Sequence, residues 1–412
     1  MLAIIANKKL VWWLGNHLIT LRFQNDPETK KCFSFLPPLF FPLSLEPFLY
    51  LRGRLKKLVF LRVNINMSLV FLVVLITIVS SLVRIDGAAA DGCDLFQGNW
   101  VLDPSYPMYN ESTCPFLEKE FNCVNNGRPD RFYLKYRWQP HGCHVSRFDG
   151  QNFLEKLRGK TIMFVGDSLS RNQWLSMLCM IHSSMPTTNY AVNISLIQDM
   201  TTYTFTDYKV KVIYHHNLYL VDIVKQRFGR VLKLNTLTAG KYWLDIDYLV
   251  FNTWHWWNRR GASQPFDYIQ DGRRIYKDMD RVVAFGKAIV TWGQWVDANV
   301  VPNKTKVFFQ GISPSHYNGT DWGEPKAKSC SGQKIPLLTS TYPGVSPPAL
   351  AVLKTALKGI KKPVTLLDVT NLSLLRKDGH PSSYGLGAVD CSHWCLAGVP
   401  DTWNVLLYNL ML

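Results

Sequence analysis

The sequence predicts an α/β fold, a mostly parallel sheet flanked by helices and preceded by a small disulfide-stapled N-terminal subdomain. Three observations predict it. Short apolar runs of strand length recur from Phe153 onward. Candidate helices lie between several of them. Residues Cys93 to about Asp149, by contrast, are rich in Cys, Pro, Tyr, Trp and Asn with little periodicity, the texture of a loop-rich unit held by disulfides. Strands apolar on both faces and alternating with helices pair in parallel, with a helical layer on each side.

The runs are, in order, "TIMFVGD", "KVIYHHNLYLVDI", "DYLVFN", "KVFFQ" and "VTLLDVT". The candidate helices are Leu169–Ile181, Tyr276–Val296 and Pro348–Leu357. With 412 residues, 47% of them hydrophobic, the chain can build one large core or two ordinary ones. The expected organisation is an atypical extension over 1–66, an apolar segment over 67–83, a Cys-rich subdomain over 91–150 and the α/β domain over 151–412.

The formal net charge is +16, and residues 1–83 carry 10 Lys/Arg against 3 Asp/Glu. The remainder holds 36 against 27, an excess that favours an acidic partner such as an anionic polymer or a membrane surface. The basic residues are scattered rather than clustered, which argues against nucleic-acid binding.

Met67–Val83 is an uncharged apolar run, preceded by Arg52, Arg54, Lys56, Lys57 and Arg62 and followed by Ala88-Ala89-Ala90. It reads either as a signal-anchor with its basic flank in the cytosol or as a cleaved signal peptide. A buried core helix is the third option. Met67 stands where a signal peptide would begin, so 1–66 has the character of an extension. Both leading options place the rest of the chain in the secretory lumen or outside the cell.

Of nine cysteines, Cys32 precedes the apolar run. The other eight (Cys93, Cys114, Cys123, Cys143, Cys179, Cys330, Cys391 and Cys395) suit four disulfides of unspecified pairing. Sequons at Asn110, Asn193, Asn303, Asn318 and Asn371 fit the same compartment. Zinc on Cys391, His393 and Cys395 is the alternative for "CSHWC", without a C-x-x-C pair to support it. No metal and no bound cofactor are expected.

Open α/β sheets collect chemistry at the carboxyl ends of their strands. The first run ends on Gly166-Asp167-Ser168. Glycine allows a tight turn, and a serine at the start of a helix lies where backbone N–H groups favour negative charge, suiting a nucleophile and an oxyanion. Asp and Ser are equally ordinary helix caps. Arg171 and Asn172 follow on the first turn, either orienting it, contacting substrate or facing solvent. The run "DYLVFNTWHWW" ends on Asn252, whose amide suits a second oxyanion donor, with His255 and Trp256 behind it facing a ligand or packing inward. His316 in "FQGISPSHYNG" is either structural or in the cleft. Finally, "GAVDCSHWCLAGVPDTWN" sets Asp390 three residues before His393. A carboxylate there can hold the imidazole Nδ1–H, leaving Nε2 free to act as base toward a serine.

"FVGDSLSRNQW" together with "DCSHWCLAGVPDTWN" resembles the plant trichome birefringence-like family. So do "CDLFQGNWVLD", "YRWQPHGCHVSRFDG" and "DVTNLSLLRKDGHPSSYG", and the likeness runs from about Cys93 to the C-terminus. The resemblance implies an SGNH/GDSL-hydrolase-like fold and O-acetylation of cell-wall polysaccharides of the xylan, mannan or pectin class. It implies a type II Golgi membrane protein with a luminal catalytic domain, or a secreted protein if the signal is cleaved. Ser168 becomes the nucleophile, His393 the base and Asp390 its partner, with Gly166, Asp167, Asn252, His255, Arg171 and Trp256 around the oxyanion and substrate. An acetyl donor is required, delivered directly or by a donor-supplying membrane protein, and the acceptor is a wall polysaccharide. Many relatives carry glycine where this chain has Trp254, so acceptor preference does not transfer. The same residues serve two rivals, a polysaccharide acetylesterase and a non-catalytic wall-glycan-binding protein.

Overall fold

The computed structural model describes Leu2–Ala6, Lys9–Leu14, His17–Arg22 and residues 93–411. The apolar run Met67–Val83, its basic flank and Cys32 lie outside the described residues, as does most of the 1–66 extension. The chain divides into Met1–Asp86 and Gly87–Leu412. In the first unit, β1 (Leu2–Ala6), β2 (Lys9–Leu14) and β3 (His17–Arg22) form an antiparallel meander. Among the described residues no helix is long and apolar enough to cross a membrane.

The second unit opens with β4 (Gly98–Leu102) and β5 (Tyr136–Pro140), an antiparallel pair that closes the Cys-rich segment on itself. Trp100 and Trp138 meet edge to face at 5.6 Å, and the buried Arg376 guanidinium lies 4.3 Å over the Trp100 ring. α1 (Gly150–Lys156) is capped by Asp149, which accepts from the Asn152 N–H. β6 (Thr161–Gly166) and α2 (Ser168–Ser184) follow, then the hairpin β7 (Tyr190–Ser195) and β8 (Met200–Phe205), and β9 (Val210–His216).

The run "KVIYHHNLYLVDI" is two strands rather than one: it breaks after His216, and β10 (Asp222–Gln226) belongs to another sheet. With β11 (Gly229–Lys233), β13 (Tyr268–Asp271) and β14 (Arg274–Tyr276), β10 builds a four-stranded sheet. Between them lies β12 (Tyr248–Phe251). α3 (Arg281–Asn299) begins five residues later than Tyr276, because Tyr276 ends β14 and the Asp280 carboxylate caps the helix through the Val283 N–H. β15 (Lys306–Gln310), α4 (Pro348–Lys358), β16 (Thr365–Leu367), α5 (Thr370–Leu374) and α6 (Val399–Met411) complete the chain.

The main sheet has seven strands in the order β16-β15-β12-β6-β9-β8-β7. From β16 to β9 every pairing is parallel; at the other edge β8 runs antiparallel to both β9 and β7. Alternation along β6 distributes its side chains between two cores. Ile162 and Phe164 pack with residues of α2 and α6, whereas Met163 and Val165 pack with Phe285, Ala288 and Trp292 of α3. A helical layer covers each face, as the sequence predicts. Among the described residues four disulfides pair Cys93–Cys143, Cys114–Cys179, Cys123–Cys395 and Cys330–Cys391. The first staples the N-terminal region, the second ties it to α2, and the last two hold the loop before α6.

Candidate active site

The parallel register sets Phe251 beside Val165 and Gly166 beside His216, so β6 and its neighbours end at one sheet edge. Gly166 is needed for a close approach there. A Cβ on it would lie 2.3 Å from the Asn252 carbonyl oxygen and 2.4 Å from the Ser170 hydroxyl. The chain then turns into α2. Asp167 is the cap residue: its Oδ1 accepts from the Leu169 N–H at 2.9 Å and from the Asn252 amide at 2.7 Å. Its Oδ2 is buried without a hydrogen-bond partner. Ser168, half-buried, is the first residue of α2, at the helix end that favours negative charge.

Asp390 and His393 come from the loop before α6. Asp390 Oδ1 accepts from the Ser392 N–H at 2.9 Å and the His393 N–H at 3.1 Å, folding the loop back on itself. Its Oδ2 accepts from His393 Nδ1–H at 2.7 Å, which leaves Nε2 to accept the Ser168 hydroxyl proton, also at 2.7 Å. The three side chains thus meet in one hydrogen-bonded line, although Ser168 and His393 stand 225 residues apart.

Three devices hold this loop in place. Cys391 and Cys395 are bonded to Cys330 and Cys123, which leaves neither thiolate to bind zinc. Among the described residues no group of three or more His, Cys, Asp or Glu is arranged to hold a metal ion. Asn172, fully buried one turn beyond Ser168, accepts from the Trp394 N–H at 2.9 Å and donates to the Trp394 carbonyl at 3.1 Å. The helix bearing the serine therefore grips the residue next to the histidine.

The electrostatics follow from these contacts. Burial works against an imidazolium at His393, but the hydrogen bond and charge of Asp390, with Asp167 and Glu120 behind, outweigh it and raise its pKa above the ordinary value. Burial likewise works to raise the Asp390 carboxyl. The His393 hydrogen bond and charge, and the N–H groups of Ser392 and His393, overcome it and hold the carboxyl well below the usual range. Burial lowers His255, whose Nε2–H donates to the Ser313 carbonyl at 2.8 Å.

Ser168 and His393 open into a groove of about 880 Å³ also lined by Trp254, His255, Trp256, Arg259 and Tyr317. Trp254 is mostly buried, edge-on to Phe285 at 5.1 Å, so its ring forms part of the groove wall instead of crossing the opening. Arg259 lies 4.3 Å over the Trp256 ring. The remaining candidates sit elsewhere. One N–H of Asn252 is committed to Asp167, and the residue is buried outside the groove lining. Arg171 turns to the N-terminal region and pairs with Glu118 and Glu120. His316 is buried against His380. A second cavity of about 460 Å³, lined by Asp103, Trp138, Arg147 and Val405 among others, contains none of the three converging residues.

Sequence reasoning missed Glu118, Glu120, Ser313 and His380. Only His380 carried a signal, standing within "KDGHPSSYG", and nothing in that stretch indicated its partner.

Residues 145–410 match the family described as "GDSL/SGNH-like Acyl-Esterase family found in Pmr5 and Cas1p", and residues 91–144 match the PMR5 N-terminal domain. Over 328 residues the chain is 59% identical to protein trichome birefringence-like 41 of Arabidopsis thaliana, covering 79% of this chain and 92% of that one. It is 55% identical to trichome birefringence-like 38 of the same plant, covering 77% and 84%. With trichome birefringence-like 39 it shares 50% identity, covering 78% and 88%.

Proposed function

The chain belongs to the trichome birefringence-like family and carries its GDSL/SGNH-like acyl-esterase domain, and from that premise we propose that it is an O-acetyltransferase acting on a plant cell-wall polysaccharide through an acetylated Ser168. The observation that carries this reading is the unbroken line from Asp390 Oδ2 through His393 to Ser168 Oγ, both contacts at 2.7 Å.

His393 Nε2 accepts the Ser168 proton as Oγ forms its bond to the acetyl carbonyl carbon. The tetrahedral intermediate collapses, the bond to the donor's leaving group breaks, and that group departs with the proton from His393. A sugar hydroxyl then attacks the acetyl-serine and gives its proton to His393. Ser168 Oγ leaves and recovers that proton. Asp390 keeps the imidazole in the tautomer that makes both transfers possible, and the N-terminus of α2 favours the developing oxyanion. The open groove with Trp256 and Tyr317 on its walls suits a polymer, since flat C–H faces of sugars pack on aromatic rings. The acceptor class includes xylan, mannan and pectin. The donor is a small acetyl carrier, or acetyl passed on by a membrane protein, at a luminal site reached through the Met67–Val83 segment as anchor or signal.

Water in place of the sugar hydroxyl makes the same site an esterase, and the acyl-esterase character of the matching family favours that second reading. Incubating the purified chain with acetylated and non-acetylated polymers, with and without an acetyl donor, separates the two. Net transfer to the unmodified polymer is the expected outcome, and release of free acetate alone supports the esterase. A Ser168→Ala chain that still moves acetyl groups excludes both.

A further inference from the structure

Behind the catalytic loop lie two histidines that the proposed reaction does not use. His316 and His380 are almost fully buried, with a ring nitrogen of each 2.7 Å from the other: His316 Nδ1 faces His380 Nε2. Their other nitrogens both face carbonyl oxygens. His316 Nε2 lies 2.9 Å from the Leu374 carbonyl, and His380 Nδ1 lies 2.6 Å from the carbonyl of His393 itself.

Counting protons gives an unexpected total. A carbonyl oxygen only accepts, so both outer nitrogens carry hydrogen. Two neutral imidazoles have one ring N–H each, and both are then consumed. The inner nitrogens would face each other with lone pairs at 2.7 Å, a repulsive contact rather than a hydrogen bond.

We infer that His316 and His380 share a third proton between their inner nitrogens, and that this imidazole–imidazolium pair positions His393 by gripping its backbone carbonyl.

The surroundings oppose more than one charge on the pair. Burial presses each ring toward neutrality, and at His380 repulsion from His316 adds to it. That pressure opposes a charge on each ring, while the 2.7 Å contact between inner nitrogens calls for one proton between them. Every element around the pair is accounted for. Asp378 favours the charge on His316 and Asp390 favours it on His380. Lys377, which pairs with Glu324, opposes it at His316, and His393 opposes it at His380. Arg376 is bound to Asp378, and Arg128 from the N-terminal region donates to the His380 carbonyl at 3.0 Å. The His380 ring stacks on Trp394 at 4.0 Å, where an indole face stabilises a cation.

This bridge complements the Asn172 clamp. Asn172 holds Trp394 from the side of α2, while the histidine pair holds the carbonyl of His393 from behind. Losing the shared proton as pH rises leaves one outer nitrogen without hydrogen, so the grip on either Leu374 or His393 lapses. The positioning role rests on the proposed Ser168–His393 chemistry; the proton count does not.

The test has two readouts on the full chain. In ¹⁵N-histidine NMR of the wild-type protein at mildly acidic to neutral pH, three ring protons are expected on the two rings, one of them a far-downfield bridging proton. It persists in Asp390→Asn, which removes the site's own short His393 bond, and vanishes in His316→Asn. Neutral-type shifts for both rings across that range overturn the proposal. For activity, wild type is expected to lose rate on the alkaline side. His316→Asn flattens that limb, because an amide NH₂ in the place of Nδ1 donates to His380 Nε2 without an ionisable proton and so keeps the His380 Nδ1–H on the His393 carbonyl. An unchanged alkaline limb in His316→Asn also overturns the positioning role. If the triad reading alone is wrong, the bridging proton remains while Ser168→Ala retains activity.

Discussion

Cys123 and Cys395 join positions 272 residues apart, and Cys395 lies two residues beyond His393. The N-terminal region is thereby fastened to the loop that presents the imidazole. Phe121 reinforces the link: its ring lies 5.7 Å from the His393 ring, and its carbonyl accepts from the Leu396 N–H at 2.9 Å. The Cys-rich segment therefore acts as a brace for the candidate catalytic loop and is no mere appendage to the sheet.

Removing that bond is expected to cost both stability and rate. A Cys123→Ala/Cys395→Ala chain should lose about 2–5 kcal/mol, the usual size for a native disulfide, with kcat falling further than KM rises. Thermal unfolding and steady-state kinetics on the same preparation check this.

The Asn172 clamp predicts a sharper separation. Asn172→Ala leaves two buried backbone groups of Trp394 unpaired, at about 1–3 kcal/mol for each. Asn172→Asp keeps the acceptor for the Trp394 N–H but sets a carboxylate against its carbonyl. Both variants should lose at least tenfold in kcat with KM little changed, and Asp should rescue nothing.

The pH profile follows from His393. The base must be neutral to accept the Ser168 proton, so rate rises with pH through a pKa above the ordinary imidazole value, on account of Asp390. Asp390→Asn removes the largest raising influence and leaves burial opposed only by Asp167 and Glu120, so the acid limb should move to lower pH. The rate itself should fall on the order of 10⁴-fold, through loss of the correct tautomer. A pH–rate series on both proteins tests the direction as well as the size.

Arg171 is expected to be nearly dispensable. Its pairs with Glu118 and Glu120 are partly exposed, and such pairs are worth at most about 1 kcal/mol. Arg171→Gln should keep kcat and KM within a few-fold of wild type. A large rise in KM for polymer with kcat unchanged would instead assign Arg171 to substrate.

What could be read in advance follows from where each signal lives. The strands β6, β12 and β15 announced themselves because both faces are buried, which leaves a nearly unbroken apolar run. The β7–β8 hairpin did not: Val192, Ile194 and the other β7 side chains are exposed or nearly so, and no burial pattern marks an edge strand of that kind. The second sheet was hidden for a similar reason, since β10 and β14 carry exposed Lys and Arg. Asp390 and His393 were legible because the contact is local. Asn172 stood beside the serine, but its partner Trp394 lies 222 residues away, and His316 and His380 are 64 apart. Only the folded chain reveals such pairings. Asn252 shows the reverse case: its amide suited an oxyanion, yet the fold commits one of its N–H groups to Asp167.

The most direct measurement of the central claim is mass spectrometry of the chain quenched during turnover with an acetyl donor and no acceptor. The account predicts one acetyl group, mapped to the peptide containing Ser168, absent from His393→Ala and discharged when polysaccharide is added. Acetyl transfer proceeding at full rate with Ser168 never modified would contradict it.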